Sequence, residues 1–275
     1  CWKRLTAFGN FRRAELLRAE RRLCRGADGP VVAALSQYVV DQLRRHYATD
    51  PQRIVLILNG VKTQRRVDAN TANRLRTQIL AELDAGEATK PVLLLFVAHN
   101  FRLKGLDRLI RALQTIDPQQ TERPVGLIVV GNGKSRRYRQ LAQRLGVNKR
   151  IIFLGPIQRI QNALSIIDVG ILPTFYDPSS RFILEALAAG KPVITTRFNG
   201  ATDLFTDGRH GRVIDSPDDV PALADAIRHF AAPANLQQAS QAILDDRLAE
   251  RISIRRVADE LRAVYESIQE RKRHS

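Results

Sequence analysis

Two carboxylates eight residues apart bracket the stretch of the chain with the clearest chemical potential. Asp177 and Glu185 flank the segment 178–180 (Pro-Ser-Ser), where a serine can cap a helix and proline fits its start. The free N–H groups of a helix start favour an anion such as a diphosphate. A loop over this helix start would bring both carboxylates to one small polar ligand. The alternative is structural: Asp177 caps the helix, and Glu185 pairs with Arg181.

A second set of chemically useful residues follows two other apolar runs. Arg102 and Lys104 lie between a predicted strand and a predicted helix, and Gly131 and Gly133 follow the next strand. Fixed cations, with glycines that let the backbone approach a ligand, suit a phosphate group. The alternative is a solvated basic loop. His99 ends the strand before Arg102, where a lone histidine is more often structural than functional.

The segment 131–135 (Gly-Asn-Gly-Lys-Ser) looks like the end of a phosphate-binding P-loop. That motif requires a glycine five residues before the glycine of its Gly-Lys-Ser, and this chain has Ile128 there. We therefore interpret the segment as a tight turn that lines a ligand. It does not predict a nucleoside-triphosphatase.

The elements that must position these residues alternate regularly. Short apolar runs predict strands, and amphipathic runs between them predict helices, which favours an α/β fold: a Rossmann-like parallel sheet with helices on both faces. Ligands of such sheets bind beyond the carboxyl ends of the strands, where the candidate residues fall. The predicted strands are 92–97, 125–130, 151–154, 169–172 and 193–196, and the helices between them are 106–113, 135–145, 158–166 and 182–189.

Composition sets the class of the protein and its range of partners. The 275 residues are 44% hydrophobic and 26% charged, as in globular proteins. The formal charge of +16 attracts polyanions: nucleic acid, anionic membrane surfaces or phosphorylated ligands. Two cysteines and five scattered histidines predict no disulfide framework and no metal site, which favours a reducing, cytoplasmic compartment. The chain opens on Cys1 and contains no methionine, so we expect a fragment whose natural beginning is missing.

Four motifs occur together in an order that resembles a known family. The segments FVAHNFRLKGLDRLIRAL, VVGNGK, IIFLGPI and DVGILPTFYDPSSRFILEALAAGKPVITTRFNGATDLF resemble the donor-binding half of a retaining glycosyltransferase. The resemblance is to the two-Rossmann-domain (GT-B) superfamily, glycosyltransferase family 4, group 1, and is similar within it to lipopolysaccharide-core glucosyltransferases. It implies the C-terminal domain of a GT-B fold plus a remnant of the N-terminal Rossmann domain. The implied boundaries are 1–61 for the acceptor-side remnant, 62–248 for the nucleotide-sugar domain and 249–275 for a returning helix.

The resemblance also assigns roles to the candidate residues. The paired acids of the family fall on Asp177 and Glu185, so Glu185 would hold the donor ribose and Asp177 the transferred sugar, with a side chain one methylene shorter than the usual glutamate. Lys104 would face the diphosphate, and Arg102 would substitute for an arginine whose usual position holds His99. The other donor-binding positions that we carry over are Ser179, Ser180, Arg181 and Gly155. Three glycines at strand-to-helix junctions complete the predicted donor-binding set: Gly131, Gly133 and Gly200.

The implied activity is transfer of a hexose, with retention, from a nucleotide diphosphate sugar, most simply a UDP-sugar. The acceptor would be a saccharide or glycolipid of cell-envelope polysaccharide or lipopolysaccharide synthesis, and no metal or other cofactor is expected. The arginine-rich surface would rest on the anionic inner face of the membrane. The resemblance implies a hexosyltransferase, and it leaves open whether the chain is active or inactive without most of its first domain. The alternative is a non-catalytic basic Rossmann-like module that binds nucleic acid or a nucleotide. Only 6% of residues are aromatic, and no predicted strand is rich in side chains that could stack on bases. The sequence therefore argues against nucleic acid as a partner.

Overall fold

The computed structural model describes residues 11–27, 29–63, 66–83 and 90–273. The contacts divide the chain into two compact units, Cys1–Leu58 and Asn59–Ser275. The domain boundaries implied by the resemblance stay a prediction. Of the described helices, none is long and apolar enough to cross a membrane.

The first unit is small and builds its core from one face of a capped helix. Val40 and Leu43 of that helix pack with Cys24 and Ala34. The helix starts after Ser36, whose Oγ accepts a hydrogen bond from the Val39 N–H at 3.2 Å. The described elements of this unit, with its two strands paired in parallel, are α1 (Phe11–Cys24), β1 (Val32–Ala34), α2 (Gln37–Tyr47) and β2 (Ile54–Leu56).

The second unit is built on one six-stranded parallel sheet. Its central strands are continuous runs of Val, Leu, Ile and Phe that are almost wholly buried, as expected for a sheet covered on both faces. In sheet order the strands are β5 (Ile151–Gly155), β4 (Val125–Val130), β3 (Val92–Val97), β6 (Val169–Leu172), β7 (Val193–Thr196) and β8 (Gly211–Ile214). The helices are α3 (Ala69–Glu82), α4 (Leu106–Gln114), α5 (Arg136–Arg144), α6 (Ile160–Ile166), α7 (Arg181–Ala188), α8 (Val220–Ala231), α9 (Pro233–Asp245), α10 (Leu248–Arg251) and α11 (Ile254–Arg273).

The strand order reverses direction between β3 and β6. From β3 the chain proceeds outward to β4 and β5, then crosses back to β6 and proceeds the other way to β7 and β8. Right-handed crossovers therefore place the helices of the two halves on opposite faces of the sheet. The contacts of the crossover helices agree, because α4 packs on α5, whereas α6 packs on α3 and α7 packs on α10. Helix α8, which follows the last strand β8, packs on α4. Such a reversal opens a crevice beyond the carboxyl ends of β3 and β6.

The structure confirms the predicted α/β class and most of the predicted element ends. Four of the predicted strands, 92–97, 125–130, 169–172 and 193–196, have their predicted bounds. Helix α7 begins and ends one residue earlier than predicted, because its N-cap is Ser180. Gly190 follows α7 with a φ of 72°, a left-handed conformation typical of the residue after a helix.

Candidate functional site

Lys104 and Asp177 form an ion pair where β3 and β6 end. Lys104 Nζ lies 2.7 Å from Asp177 Oδ2 and also donates to the Tyr176 carbonyl oxygen at 2.9 Å. The side chains of Lys104 and Asp177 are only 18% and 12% exposed. They are 73 residues apart in the chain, and they meet because β3 and β6 are neighbouring parallel strands. A fixed cation and a carboxylate therefore lie together in the crevice where the strand order reverses.

The loop that carries Asp177 is bound to the loop that follows β7. The Asp177 N–H donates to the Phe198 carbonyl oxygen, and the Gly200 N–H donates to the Asp177 carbonyl oxygen, each at 2.9 Å. The second carboxylate oxygen of Asp177 accepts a hydrogen bond from the Ser179 N–H at 3.2 Å. Two predicted site residues, Ser179 and Gly200, thus belong to the same group of contacts as the ion pair. We call Lys104, Tyr176, Asp177, Ser179 and Gly200 the acid–lysine cluster.

The start of α7 keeps two hydrogen-bond donors for a ligand. Ser180 is the N-cap, because its Oγ accepts from the Ile183 N–H at 3.4 Å, so the alternative in which Asp177 caps the helix is wrong. The amides of Arg181 and Phe182 have no acceptor within the part of the chain that the structure describes, as is usual in a first helical turn. Free N–H groups of this kind, at the positive end of a helix dipole, favour an anion.

Glu185 lines a different hollow, between α6 and α7. The side chain is 13% exposed, and a guanidinium nitrogen of Arg181 lies 3.9 Å from its carboxylate, as the structural alternative predicted. Lys104 and Asp177 are not among the lining residues of this hollow. It has a volume of about 230 Å³ and is lined by Lys62, Thr63, Val67, Gln161, Leu164, Ser165, Glu185, Ala188 and Ala189. The joint action of Glu185 and Asp177 on one ligand stays a prediction.

Three predicted glycines line one cavity of about 330 Å³ beside β4 and β5. The Gly131 N–H donates to the Gly155 carbonyl oxygen at 3.0 Å, which brings the ends of the two strands together. Gly131 has a φ of 137°, and a Cβ there would overlap the Ala98 carbonyl oxygen. A Cβ on Gly133 would lie against the Phe101 ring. We call this space the glycine cavity; its lining residues are Phe101, Val129, Gly131, Asn132, Gly133, Ser135, Arg139, Phe153, Leu154, Gly155 and Pro156.

The glycine cavity has a flat cationic and aromatic wall. The Arg139 guanidinium lies 4.6 Å from the centroid of the Phe153 ring and donates to the Phe153 carbonyl oxygen at 3.2 Å. Phe101 packs edge-on against Tyr138, with ring centroids 5.6 Å apart. Burial raises the pKa of the Tyr138 phenol, and the Arg137 guanidinium, which donates to its oxygen, opposes that shift. Planar groups of this kind suit a heterocyclic base.

The remaining predicted residues lie at the exposed rim of the site. His99 Nδ1 is 2.8 Å from Asn132 Oδ1, so these side chains join the loops after β3 and β4. Arg102 is exposed, and Arg181 has a side chain that is 67% exposed. These residues border the site without belonging to the acid–lysine cluster.

Three further residues of the site were not predicted from the sequence: Asn199, Arg139 and Phe153. Asn199 is fully buried, and its side chain accepts a hydrogen bond from the Ser180 N–H. The Asn-Gly pair at positions 199–200 was the one available signal, and it indicates a turn without indicating a buried amide. Arg139 is one of four arginines within α5, and nothing in the sequence separates it from the others.

Comparison with known proteins identifies the second unit. The family model described as "Glycosyl transferases group 1" matches residues 82–241, more than half of the chain. The lipopolysaccharide glucosyltransferase WaaG of Escherichia coli is 27% identical over 205 residues, which are 74% of this chain and 54% of that protein. A D-inositol 3-phosphate glycosyltransferase of Corynebacterium glutamicum is 31% identical over 220 residues, 76% of this chain and 50% of that protein. The chain thus spans about half the length of these curated relatives.

Solved structures share the fold. A crystal structure of WaaG superimposes with a TM-score of 0.72 at 23% identity, over 91% of this chain and 68% of that one. HepE from Anabaena, crystallised in complex with UDP-glucose, superimposes with a TM-score of 0.72 at 22% identity, over 87% of this chain and 64% of that one. At these identities the likeness shows a common architecture, that of GT-B glycosyltransferases.

Proposed function

Since this chain belongs to the glycosyl transferases group 1 family, we propose that it carries the donor-binding half of a hexosyltransferase. The donor is a nucleotide diphosphate sugar, most simply a UDP-sugar, and the acceptor is a saccharide or glycolipid of cell-envelope or lipopolysaccharide synthesis. The E. coli relative named for lipopolysaccharide glucose transfer and the UDP-glucose complex of HepE support this choice. The chain spans about half the length of these relatives, so the transfer reaction of the whole protein is part of the proposal.

The observation that carries the proposal is the Lys104–Asp177 ion pair beside the Arg181 and Phe182 amides of α7, which have no acceptor among the described residues. A diphosphate placed there meets a positive ammonium group and these two N–H donors in a crevice that is largely shielded from water. As the glycosidic bond breaks, negative charge grows on the leaving diphosphate. Preorganised cations and amides stabilise that charge without reorganising, which is often the largest catalytic contribution. We assign this role to Lys104, with Arg102 at the rim as the second cation.

The two cavities and the two acids suit the other parts of the donor. The base enters the glycine cavity beside Arg139 and Phe153, with the backbone of Gly131, Gly133 and Gly155 around it. Glu185 accepts hydrogen bonds from the ribose hydroxyls, and Asp177 contacts the transferred hexose. No residue is assigned as a nucleophile, and transfer with retention has the acceptor attack from the face that the diphosphate leaves.

Two further parts of the proposal concern the positive charge of the protein, which we place against a membrane, and the donor site, for which we expect no metal ion. The excess of sixteen positive charges holds the protein on the anionic cytoplasmic face of the inner membrane, beside a glycolipid acceptor. Lys104 and Arg102 supply the charge that a divalent cation would otherwise supply. UDP affinity should therefore be the same in EDTA as in magnesium.

Calorimetric titration of the 275-residue chain with UDP-glucose tests the proposal. We expect saturable binding that weakens about tenfold in Glu185→Ala, since the ribose hydroxyls lose a charged acceptor. Arg181→Ala is the matched control: it removes the exposed partner of Glu185 from the same helix and should change the affinity less than threefold. Binding of 2′-deoxy-UDP should be equally weak in wild type and in Glu185→Ala. Equal UDP-glucose affinity in wild type and Glu185→Ala would refute the assignment of Glu185.

The high positive charge favours a second candidate, a basic module that binds nucleic acid. Titration with a single-stranded oligonucleotide at two salt concentrations separates the two functions. The module predicts oligonucleotide binding that falls steeply with salt and is indifferent to Glu185→Ala. The transferase predicts weak oligonucleotide binding and a UDP-glucose affinity that depends much less on salt.

A further inference from the structure

Asn199 is a fully buried amide at the meeting point of two helix starts. Its Oδ1 accepts hydrogen bonds from the Ser180 N–H at the start of α7 and from the Ala201 N–H at the start of the 3₁₀ helix Gly200–Leu204, each at 3.1 Å. Its Nδ2 donates to Thr195 Oγ1 at 2.9 Å. The reverse orientation of the amide would place its NH₂ group against two N–H donors. Every polar atom of this side chain is therefore committed, and its orientation is fixed.

Threonines at the ends of β6 and β7 extend these contacts to the base of the ion pair. Thr195 Oγ1, which accepts from Asn199, donates to the Leu172 carbonyl oxygen at 2.8 Å. Beside it, Thr196 Oγ1 donates to the Thr174 carbonyl oxygen at 2.6 Å, and Thr174 Oγ1 donates to the Tyr176 carbonyl oxygen at 2.9 Å. The last of these carbonyls is the one that Lys104 also holds. A buried polar network of this kind holds its members in a single geometry when each member is satisfied.

These contacts decide which amides of the proposed diphosphate site are available. The Ser180 N–H is committed to Asn199, and the Ser179 N–H is committed to the Asp177 carboxylate. Within the part of the chain that the structure describes, the amides of Arg181 and Phe182 are the ones left without an acceptor at this helix start. The first turn of α7 determines where these two N–H groups point. The hydrogen bond from the Ser180 N–H to Asn199 Oδ1 holds that turn in place.

We infer that Asn199 is a positioning residue of the donor site: it aims the start of α7 at the diphosphate without touching the donor. The inference rests on the proposed function. It predicts that loss of the Asn199 side chain weakens recognition of the second phosphate, whereas recognition of the nucleoside, at Glu185 and in the glycine cavity, is preserved. A purely structural role predicts that both are weakened together.

Titrations of the full chain with UDP and with UMP separate these outcomes. In wild type, UDP should bind more tightly than UMP, and the ratio of the two affinities measures recognition of the second phosphate. In Asn199→Ala we expect UDP affinity to fall at least tenfold and UMP affinity to change less than twofold. The matched control is Thr202→Val, which removes a side-chain hydrogen bond to the Asn199 carbonyl oxygen and leaves the amide in place. Its UDP to UMP ratio should equal that of wild type.

Asn199→Ser separates positioning from stability. A serine oxygen can still accept from the N–H two residues on, as Asn199 does from Ala201, and cannot reach the Ser180 N–H. We expect Asn199→Ser to recover most of the melting temperature lost in Asn199→Ala while it keeps the low UDP to UMP ratio. An unchanged ratio in Asn199→Ser, an equal loss for both nucleotides, or tighter UDP binding would each overturn the inference. If wild type binds neither nucleotide, the proposed donor site is itself wrong and the inference falls with it.

Discussion

The acid–lysine cluster and the glycine cavity lie at the same edge of one sheet and are built in opposite ways. In the acid–lysine cluster, charged side chains meet each other and buried hydroxyl and amide groups fix their loops. In the glycine cavity, side chains are absent where the backbone must approach, and Gly131 accepts a φ of 137° so that its strand end can lie against Ala98. The first region provides charge, and the second provides shape.

This difference matches the two ends of a nucleotide sugar. The diphosphate and its departing charge require cations and amides at fixed positions. The base is flat and neutral, and it requires a narrow space with a planar wall. We therefore expect damage to the glycine cavity to change folding and nucleoside affinity, and damage to the acid–lysine cluster to change recognition of the diphosphate.

Gly131→Ala should have the largest effect. The new Cβ would overlap the Ala98 carbonyl oxygen in a backbone region that L-residues avoid, and we expect it to lower the free energy of unfolding by about 3 kcal/mol. Gly155→Ala is the matched control, because Gly155 has a φ of 73° and open space where the Cβ would lie; its cost should be about 1 kcal/mol. Urea unfolding of both variants measures the difference. Equal costs would show that the close approach of β3 and β4 does not constrain the cavity.

Lys104→Ala should have the next largest effect, on diphosphate recognition. Loss of a charge-assisted contact of about 2 kcal/mol should weaken UDP about thirtyfold, with UMP affected less. Asp177→Asn is the matched control, since it removes the same ion pair and keeps the ammonium group; UDP should then bind at least as tightly as in wild type. If both variants lose UDP affinity alike, the ion pair matters for the loop and Lys104 does not contact the diphosphate.

Arg139→Ala should have a smaller effect, confined to the nucleoside. An Arg–aromatic wall contributes about 1 kcal/mol, so UMP and UDP affinities should both fall about fivefold and their ratio should not change. Arg137→Ala removes the neighbouring guanidinium that stacks on Tyr138, whose hydroxyl it also contacts, and should leave both affinities near wild type. A changed ratio of UDP affinity to UMP affinity in Arg139→Ala would contradict the assignment of the glycine cavity to the nucleoside alone.

The sheet was predictable because its signal is local. Short continuous runs of Val, Ile and Leu between turn residues are typical of strands buried on both faces, and β3, β4, β6 and β7 end where the sequence predicted. Residues at strand ends were also predictable as a set, because parallel strands bring their carboxyl ends to one edge. Lys104 and Asp177 were each identified in this way.

The pairing within the site was not predictable from local signals. The Lys104–Asp177 contact depends on β3 and β6 being neighbours, which follows from the strand order and not from either segment. Helix starts are equally contextual: α3 begins at Ala69 because the Asp68 carboxylate accepts a hydrogen bond from the Thr71 N–H. The role of Asn199 depends on two other loops, and its own segment indicates only a turn.

A second ion cluster, around Asp246, offers the smallest effect on donor binding and the sharpest control. Hydrogen bonds from Arg209 and from His210 hold the pKa of Asp246 well below its usual range. Because the folded pKa lies below the unfolded one, this carboxylate stabilises the protein above about pH 4 and loses that contribution as the pH falls further. Asp246→Asn should therefore lower the melting temperature at pH 7 and flatten its decline between pH 5 and pH 3, measured by circular dichroism.

The same variant should leave UDP affinity at pH 7 unchanged, because Asp246 binds His210 directly before β8, at the amino edge of the parallel sheet and not at the carboxyl ends of β3 and β6. The two ion-paired carboxylates would then have different roles: Asp246 would stabilise the fold, and Asp177 would position Lys104, which the donor requires. Equal UDP affinity in Asp246→Asn and wild type, together with the loss in Lys104→Ala, would support that distinction. A fall in UDP affinity in Asp246→Asn would mean that ion pairs throughout this unit support the donor site indirectly. The loss in Lys104→Ala would then no longer show that Lys104 contacts the diphosphate.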